Sequence, residues 1–318
     1  MEGVAQELCK ASLSVNSQRT YQTAQNQYLQ FCRGFGITPL PATEQVLILF
    51  VADISSRVCH STARSYLSAV RHLHISNGYG DPLKGALQLD LVLRGLKRKK
   101  PRGQDTRLPI TPWILRRIRE VLMEKPHDFD NIMLWAACCL AFFAFLRAGE
   151  FTVQAEEKFD PSTHLTPRDI EVDDLSNPTM LKIRIKKSKT DQWREGVDLY
   201  VGMTGNELCP VAAILAFMAV RGQDEAPLFK TKEGTPLSRQ TLVKMVKDSL
   251  SKAGIDCARY NGHSFRIGAA TTALARGIPE ATIQALGRWK SDAYRSYIRI
   301  PRDQLTAVSV QMTASSDV

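Results

Sequence analysis

The longest apolar stretch of the chain, IMLWAACCLAFFAFL at residues 132–146, most restricts how this chain can fold. None of its side chains is charged or carries an amide or hydroxyl group, so every side of a helix formed here has to be covered. The stretch is shorter than the roughly 20 residues that a membrane-spanning helix needs, and Arg147 follows it directly. It therefore predicts a buried helix at the centre of a globular core, and we expect no membrane partner.

Two kinds of pattern surround this stretch in the remaining two thirds of the chain. Apolar and polar residues alternate at 169–175, 181–187 and 196–202, which predicts a small antiparallel sheet. Helical spacing of apolar residues occurs at 111–125, 209–222, 238–254, 263–277, 279–287 and 291–299. The predicted fold class is mainly α with a small antiparallel β-sheet (α+β).

The first third of the chain has only the helical pattern, at residues 17–36, 43–57, 61–78 and 81–98. After it, prolines and a glycine interrupt a polar, basic stretch at 93–112, which is typical of a linker. We therefore predict a helical domain at 1–100, a basic linker at 101–110, a larger mixed domain at 111–302 and a C-terminal tail at 303–318.

The chain is basic, with a formal net charge of +10 and a pI of about 9.3. Residues 1–110 carry 14 Lys and Arg against 7 Asp and Glu, so a net +7 lies in the helical third and the linker. This uneven distribution favours a polyanionic partner, and double-stranded DNA is the simplest one. The candidate DNA-binding residues are Arg64, Arg71, Lys97, Arg98, Lys99 and Lys100. The run KRKKPR at 97–102 could instead, or in addition, serve as a nuclear localisation signal.

Four short segments contain the side chains that phosphoryl transfer requires: LRAGEF at 146–151, KKSKTDQ at 186–192, GHSFRIG at 262–268 and RWKSDAYRSYIR at 288–299. That reaction needs cations on the non-bridging oxygens, an acid for the leaving oxygen and a positioned nucleophile. The matching types are supplied by Arg147, Lys189, His263, Arg266 and Tyr297.

These four segments, in this order, resemble the tyrosine recombinase (phage integrase) family, and the resemblance covers nearly the whole chain. LRAGEF resembles the first arginine box of that family, KSKT its β-hairpin lysine and GHSFR its His-x-x-Arg box. The last two boxes are most similar to those in recombinases of DIRS-type or Crypton-like eukaryotic mobile elements. The resemblance implies a helical core-binding domain, which clamps DNA, followed by the recombinase catalytic domain.

The resemblance also implies roles for the phosphate-binding and proton-transferring residues. Arg147 and Arg266 would clamp the phosphate, with Glu150 supporting the site. Lys189 would protonate the leaving 5′ oxygen, although Lys186 and Lys187 lie close by in the sequence. The general acid or base would be His263.

Tyr297 matches the family's nucleophile, although it lies eight residues after Trp289 where family members usually have nine. Trp289 occupies the position at which the family has His or Trp, where its indole N–H can donate to the phosphate or its ring can pack in the core. The second tyrosine of this segment, Tyr294, is expected to pack or stack.

The implied activity is that of a site-specific DNA recombinase or integrase, which cleaves and rejoins DNA through a 3′-phosphotyrosine intermediate. Such an enzyme acts as a tetramer on double-stranded DNA without a cofactor or metal, and we expect a nuclear location in a eukaryote and a cytoplasmic one otherwise. The seven cysteines lack metal-ligand spacing and are expected to be reduced thiols. The alternatives are a type IB topoisomerase, which uses similar residues, and a domesticated DNA-binding protein without catalysis.

Overall fold

The computed structural model describes residues 4, 11–101, 103, 105–154, 157–188, 191, 195–222 and 224–299. They form two compact units that divide between Asp105 and Thr106, within the predicted linker. The predicted tail at 303–318 lies outside the described residues. The described part of the chain is mainly helical and has a three-stranded antiparallel sheet, so the predicted fold class is confirmed.

The first unit has the four predicted helices, which are α1 (Val15–Gly34), α2 (Glu44–Ile54), α3 (His60–Ser76) and α4 (Leu87–Lys99). The last of them begins six residues later than predicted. Its predicted first turn is replaced by a bend in which the carboxylate of Asp81 accepts a hydrogen bond from the backbone N–H of Leu83 at 2.9 Å. Gly85 then adopts a left-handed φ of 75°, which interrupts helical geometry.

Aromatic side chains form the centre of the first unit's core, where Tyr28 and Phe50 pack edge to face with their ring centroids 5.2 Å apart. His74 is also buried, and its Nε2 accepts a hydrogen bond from the backbone N–H of Ala42 at 2.8 Å. Its Nδ1 lies 2.8 Å from the carbonyl oxygen of Val70, so this nitrogen carries the proton of a neutral ring. The histidine therefore has a structural role.

The second unit is built around the predicted apolar helix, which is α6 (Phe129–Phe143) and is buried along nearly its whole length. The other helices of this unit are α5 (Pro112–Leu122), α7 (Ala148–Phe151), α8 (Pro210–Arg221), α9 (Arg239–Lys252), α10 (Ser264–Ala275) and α11 (Glu280–Leu286). Four of them, α5, α8, α9 and α10, pack against α6. This arrangement explains why the stretch has no polar side: each of its faces meets another helix.

The three strands are β1 (Ile170–Val172), β2 (Met180–Ile185) and β3 (Val197–Gly202), and they pair in sequence order. Leu181, Ile183 and Ile185 alternate along β2 and are all buried, as the pattern predicted. The final predicted helix is instead a 3₁₀ helix, Asp292–Tyr297, with Ser291 as its N-cap. Within the described residues, no helix combines the length and apolar character that a bilayer span requires.

The end of the predicted linker belongs to the second unit. Backbone N–H groups of Leu108 and Ile110 donate to the carbonyls of Arg259 and Ser264 at 3.0 and 2.9 Å, and Ile110 is fully buried. A Cβ on Gly268 would lie 1.8 Å from the carbonyl oxygen of Ile110, so only glycine allows α10 to approach this segment. The segment therefore holds the start of α10 in place.

Arg221, the last residue of α8, organises the loop that follows it. Its buried guanidinium donates to the carboxylate of Asp224 at 2.9 Å and also to several backbone carbonyls. These are the carbonyls of Gly222 (2.9 Å), Ala226 (2.8 Å), Pro227 (2.6 Å) and Leu228 (2.9 Å). The conformation of the loop is therefore fixed largely by one side chain.

Candidate active site

Five of the six predicted catalytic residues are described, and they converge on one end of α6. Arg147 follows α6 and immediately precedes α7, while His263 and Arg266 lie at the start of α10. Trp289 follows α11, and Tyr297 ends the 3₁₀ helix. Lys189 lies outside the described residues.

Arg266 is the most deeply buried member of this group, with no exposed surface. Its terminal nitrogens donate to the backbone carbonyls of Phe145 and Gly287, which belong to two separate turns. Burial, and then the positive charges of Arg147 and Arg288, lower the pKa of Arg266 from its usual value. The bonds that the structure shows for Arg266 are structural, because they join two turns of the backbone. The phosphate-clamp role that the resemblance implied stays a prediction.

The indole ring of Trp289 covers this arginine, with the guanidinium carbon of Arg266 4.0 Å from the ring centroid. The ring of Tyr297 packs beside it, with its centroid 5.2 Å from that of Trp289 and 5.6 Å from the guanidinium carbon. A stacked cation of this kind is stabilised by the ring's quadrupole, by about 2 kcal/mol or more when it is desolvated. Core packing of Trp289 is therefore confirmed, and hydrogen bonding of its indole N–H to a phosphate stays a prediction.

Glu150 connects two arginines and is itself buried. Its Oε1 accepts from Nη1 of Arg147 at 2.8 Å, and its Oε2 accepts from the backbone N–H of Arg147 at 2.9 Å. Oε2 also accepts from Nη2 of Arg288 at 2.6 Å. The carboxylate thus orients Arg147, which agrees with its predicted supporting role.

Arg288 is the residue that the sequence reasoning missed. It lies 138 positions from Glu150 in the sequence, and only the folded chain brings the two together. Burial lowers its pKa, while the charge of Glu150 acts in the opposite direction. The one signal in the sequence was its place next to Trp289 in a segment already singled out.

The described charged groups of the site do not balance. Three guanidinium groups, of Arg147, Arg266 and Arg288, face a single carboxylate, that of Glu150. The Nε atoms of Arg266 and Arg288 are buried and have no hydrogen-bond partner among the described residues. The excess of positive charge suits this cluster to binding an anion.

The two tyrosines of the last segment have different surroundings. Tyr294 is buried, its hydroxyl donates to the carboxylate of Glu280, and Nε of Arg295 donates to that hydroxyl at 3.3 Å. The Tyr297 ring is half-buried beside Arg266, and its hydroxyl has no hydrogen-bond partner among the described residues. The geometry therefore favours Tyr297 as the reactive tyrosine and gives Tyr294 the predicted packing role.

His263 stands at the N-terminus of α10, where its backbone N–H donates to the side-chain oxygen of Asn261 at 2.9 Å. Its ring lies 6.4 Å from that of Tyr297, measured between centroids. The two rings are therefore neighbours, and the role of His263 as general acid or base stays a prediction.

The lysines near Lys189 in the sequence are already engaged. Nζ of Lys186 lies 2.6 Å from the carboxylate of Asp169, and Nζ of Lys187 lies 3.3 Å from that of Glu157. Both lysines therefore have local structural partners, and the role of Lys189 stays a prediction.

The predicted DNA-binding residues of the first unit fall into two groups. Arg64 on α3 and Lys97, Arg98 and Lys99 on α4 are exposed. Arg71 is also exposed but forms an ion pair with Asp81 at 2.6 Å, and Nζ of Lys100 donates to the carbonyl of Ser56. The first group is the better candidate for phosphate contacts. Around it, Arg64 and Arg94 flank a shallow hollow that His60 and Asp90 also line.

A search of the described residues finds no group of three or more His, Cys, Asp or Glu side chains placed to hold a metal ion. The polar groups that the site does offer are guanidinium donors, which bind anions.

Comparison with known proteins adds independent information. Residues 168–299 match the phage integrase family. A protein described as an integrase/recombinase xerD homolog from Selenomonas ruminantium is 23% identical over 288 residues, which cover 87% of this chain and 79% of that protein.

Two kinds of solved structure share the fold. One is a site-specific recombinase, XerH, bound to a palindromic difH substrate in a post-cleavage complex. It is 15% identical, has a TM-score of 0.65, and the match covers 95% of this chain and 82% of that one. The other is a lambda integrase dimer bound to a core site, at 15% identity and a TM-score of 0.59, over 93% and 75% of the two chains. The family match is thus confined to residues 168–299, and the solved structures show that the fold is shared.

Proposed function

We propose that this protein is a site-specific DNA recombinase that cleaves and rejoins DNA through a 3′-phosphotyrosine intermediate. The observation that carries the proposal is the excess of buried positive charge next to Tyr297. Arg147 and Arg288 share the carboxylate of Glu150, whereas Arg266 donates to backbone carbonyls and has no ion pair among the described residues. A scissile phosphate beside Tyr297 would supply the missing negative charge.

In the cleavage step, the hydroxyl oxygen of Tyr297 attacks the scissile phosphorus. A bond forms between phosphorus and the tyrosine oxygen while the bond to the 5′ oxygen of the next nucleotide breaks. The hydroxyl proton passes to His263, and Lys189 protonates the leaving 5′ oxygen. Arg147, Arg266 and Trp289 stabilise the negative charge that develops on the non-bridging oxygens.

In the rejoining step, a 5′-hydroxyl from a partner duplex attacks the phosphotyrosine, and Tyr297 leaves with its proton restored. Each step breaks one phosphate ester and forms another, so the reaction consumes no nucleotide triphosphate. No resident cofactor has a part in it. The charge that would otherwise call for a divalent cation is supplied by the arginines.

Several features support DNA as the substrate. The recombinase and the integrase that share the fold were solved in complex with DNA. The first unit of this chain also presents Arg64 and the run Lys97–Lys99 on its surface, and exposed cations bind phosphates irrespective of sequence. Base contacts, which would decide the target site, depend on docking geometry.

A covalent-capture experiment tests the proposal. A library of nicked duplexes, randomised around the nick, traps the tyrosyl ester because the short 5′-hydroxyl fragment diffuses away. We expect an adduct that resists detergent and maps by mass spectrometry to Tyr297. Tyr297→Phe should abolish the adduct while DNA binding stays within about twofold, since phosphate contacts dominate binding. Tyr294→Phe should keep it.

The other outcomes of this experiment are equally informative. A phosphopeptide at Tyr294 would mean that the nucleophile position of the family corresponds to Tyr294 and not to Tyr297. Relaxation of supercoiled plasmid without strand exchange between duplexes would indicate a topoisomerase. DNA binding with no adduct on any duplex would indicate a binding protein without catalysis.

Assembly and cellular context extend the same proposal. We infer that the protein acts as a tetramer on two duplexes, with the segment after Tyr297 docking on the neighbouring subunit. Truncation after Arg302 should then preserve single-site binding but remove higher-order complexes, which gel shifts and sizing on DNA would reveal; unchanged assembly would exclude such docking. We also propose an origin in a DIRS-type or Crypton-like mobile element and nuclear import through residues 97–102, which relocalisation after substitution of that run would check.

A further inference from the structure

Two turns meet beneath the candidate site, and each contains a non-glycine residue in the left-handed region. Phe145 has φ 51° and Arg288 has φ 53°. Such residues are uncommon, and they persist where surrounding contacts over-determine the backbone. Here the contacts are arginine side chains, because Arg266 donates to the carbonyls of Phe145 and Gly287 and thereby ties the two turns together.

Arg288 reinforces this connection from its own turn and reaches the carboxylate at the centre. Its Nη1 lies 3.4 Å from the carbonyl oxygen of Ala144, and its Nη2 lies 2.6 Å from Oε2 of Glu150. Only 12% of its side chain is exposed. Arg288 therefore belongs to the interior of the site, not to the basic surface that its sequence context suggests.

The two carboxylate oxygens of Glu150 bind two different arginines, and this determines which hydrogen bonds the Arg147 side chain can make. Arg147 makes one side-chain bond, from Nη1 to Oε1, and its side chain is 17% exposed. Oε2 is occupied by Arg288 and by the backbone N–H of Arg147. If Arg288 were absent, Oε2 could accept a second side-chain bond from Arg147. A guanidinium forms such two-pronged pairs with carboxylates readily, and the pair would draw Arg147 away from a substrate phosphate.

We propose that Arg288 is a positioning residue: by occupying Oε2 of Glu150, it keeps the guanidinium of Arg147 available to the scissile phosphate. This inference rests on the proposed recombinase function. It assigns Arg288 an effect on the chemical step that is separate from DNA binding.

The experiment compares variants on a nicked duplex that the wild-type protein cleaves. We measure the single-turnover rate of adduct formation at saturating DNA and, in a Tyr297→Phe background, the affinity for the same duplex. Arg288→Ala should slow adduct formation by about 10- to 100-fold, the loss typical of a catalytic group displaced by about 1 Å. The affinity should change by no more than about twofold, because Arg288→Ala removes none of the surface phosphate contacts. Lys290→Ala, which removes a neighbouring exposed cation, is the matched control and should keep the rate.

Two further readouts separate positioning from a loss of folding. Arg288→Lys retains a cation for Oε2 and should recover part of the rate. Because Arg288 acts through Glu150, adding Arg288→Ala to Glu150→Gln should cost less than the two single losses combined. If Arg288→Ala cleaves at the wild-type rate, or if the two losses multiply in full, the inference is wrong. If the wild-type protein forms no adduct, the proposed function fails and this inference fails with it.

Discussion

Gly287 lies where a single methyl group should disable the candidate site. Its backbone angles, φ −78° and ψ −6°, are ordinary helical values that alanine adopts without strain. A Cβ built there, however, would lie 1.6 Å from Cζ3 and 1.9 Å from Cε3 of Trp289. Carbon atoms that touch are separated by about 3.5 Å, so the indole ring would have to move by about 2 Å.

The magnitude of the effect follows from what the ring touches. Overpacking of this kind costs about 1–3 kcal/mol of folding stability, which in a domain of roughly 200 residues lowers the melting temperature by about 2–4 °C per kcal/mol. The effect on the rate of adduct formation should be larger, because Trp289 lies 4.0 Å above the guanidinium of Arg266 and beside Tyr297. We expect Gly287→Ala to slow adduct formation by about 100-fold, as displacements of about 1 Å at reacting groups do.

The assays are thermal unfolding and single-turnover cleavage, and a double substitution tests the cause. In Gly287→Ala/Trp289→Ala the new methyl group meets no ring, so the destabilisation should be smaller than the sum of the two single effects. Gly149→Ala is the stability control, since a Cβ there has no neighbour within 4 Å. Additive destabilisation by the two substitutions would refute the steric explanation.

Three other predictions concern the surroundings of the site and the first unit. Thr271 accepts a hydrogen bond from the backbone N–H of Arg299 at 3.0 Å and donates to the carbonyl of Tyr297 at 3.4 Å; Thr271→Val should slow adduct formation roughly fivefold, the equivalent of about 1 kcal/mol, while Thr271→Ser keeps the rate. Replacement of Lys97–Lys99 by alanine should lower the slope of log affinity against log salt by about 0.9 for each phosphate that the protein no longer binds, and an unchanged slope would leave localisation as the role of that run. Hydrogen bonds from the hydroxyls of Ser61 and Thr62 lower the pKa of Cys59 to about 6; its alkylation should therefore reach half its maximal rate near pH 6, and a midpoint above pH 8 would contradict the role of those bonds.

The sequence predicts best those features that depend on local pattern. The apolar run at 132–146 predicted a helix covered on every side, and α6 is packed against four other helices. Thr111 and Ser291, residue types that favour helix N-termini, cap the helices that follow them. His263 and Arg266 come together because they lie three positions apart at the start of one helix, and this spacing is visible in the sequence.

The sequence does not reveal features that depend on long-range geometry. The role of Arg288 requires a left-handed backbone and a carboxylate 138 residues away, and neither is encoded nearby. The complete burial of Arg266 was equally hidden, because arginine is usually exposed and the motif suggested only a phosphate clamp. The last helix became a 3₁₀ helix, whose short span and tighter turn depend on contacts with α10 and α11.

The loop after α8 has a consequence for how this protein can diverge. Because Arg221 binds main-chain oxygens, which every amino acid provides, most side chains between Gly222 and Leu228 are free to change. The spacing of those oxygens is not free, since an inserted or deleted residue would move them out of reach of one rigid guanidinium. In homologues that retain this arginine, the segment should therefore vary in composition while its number of residues stays constant, and where the arginine is lost that number should drift.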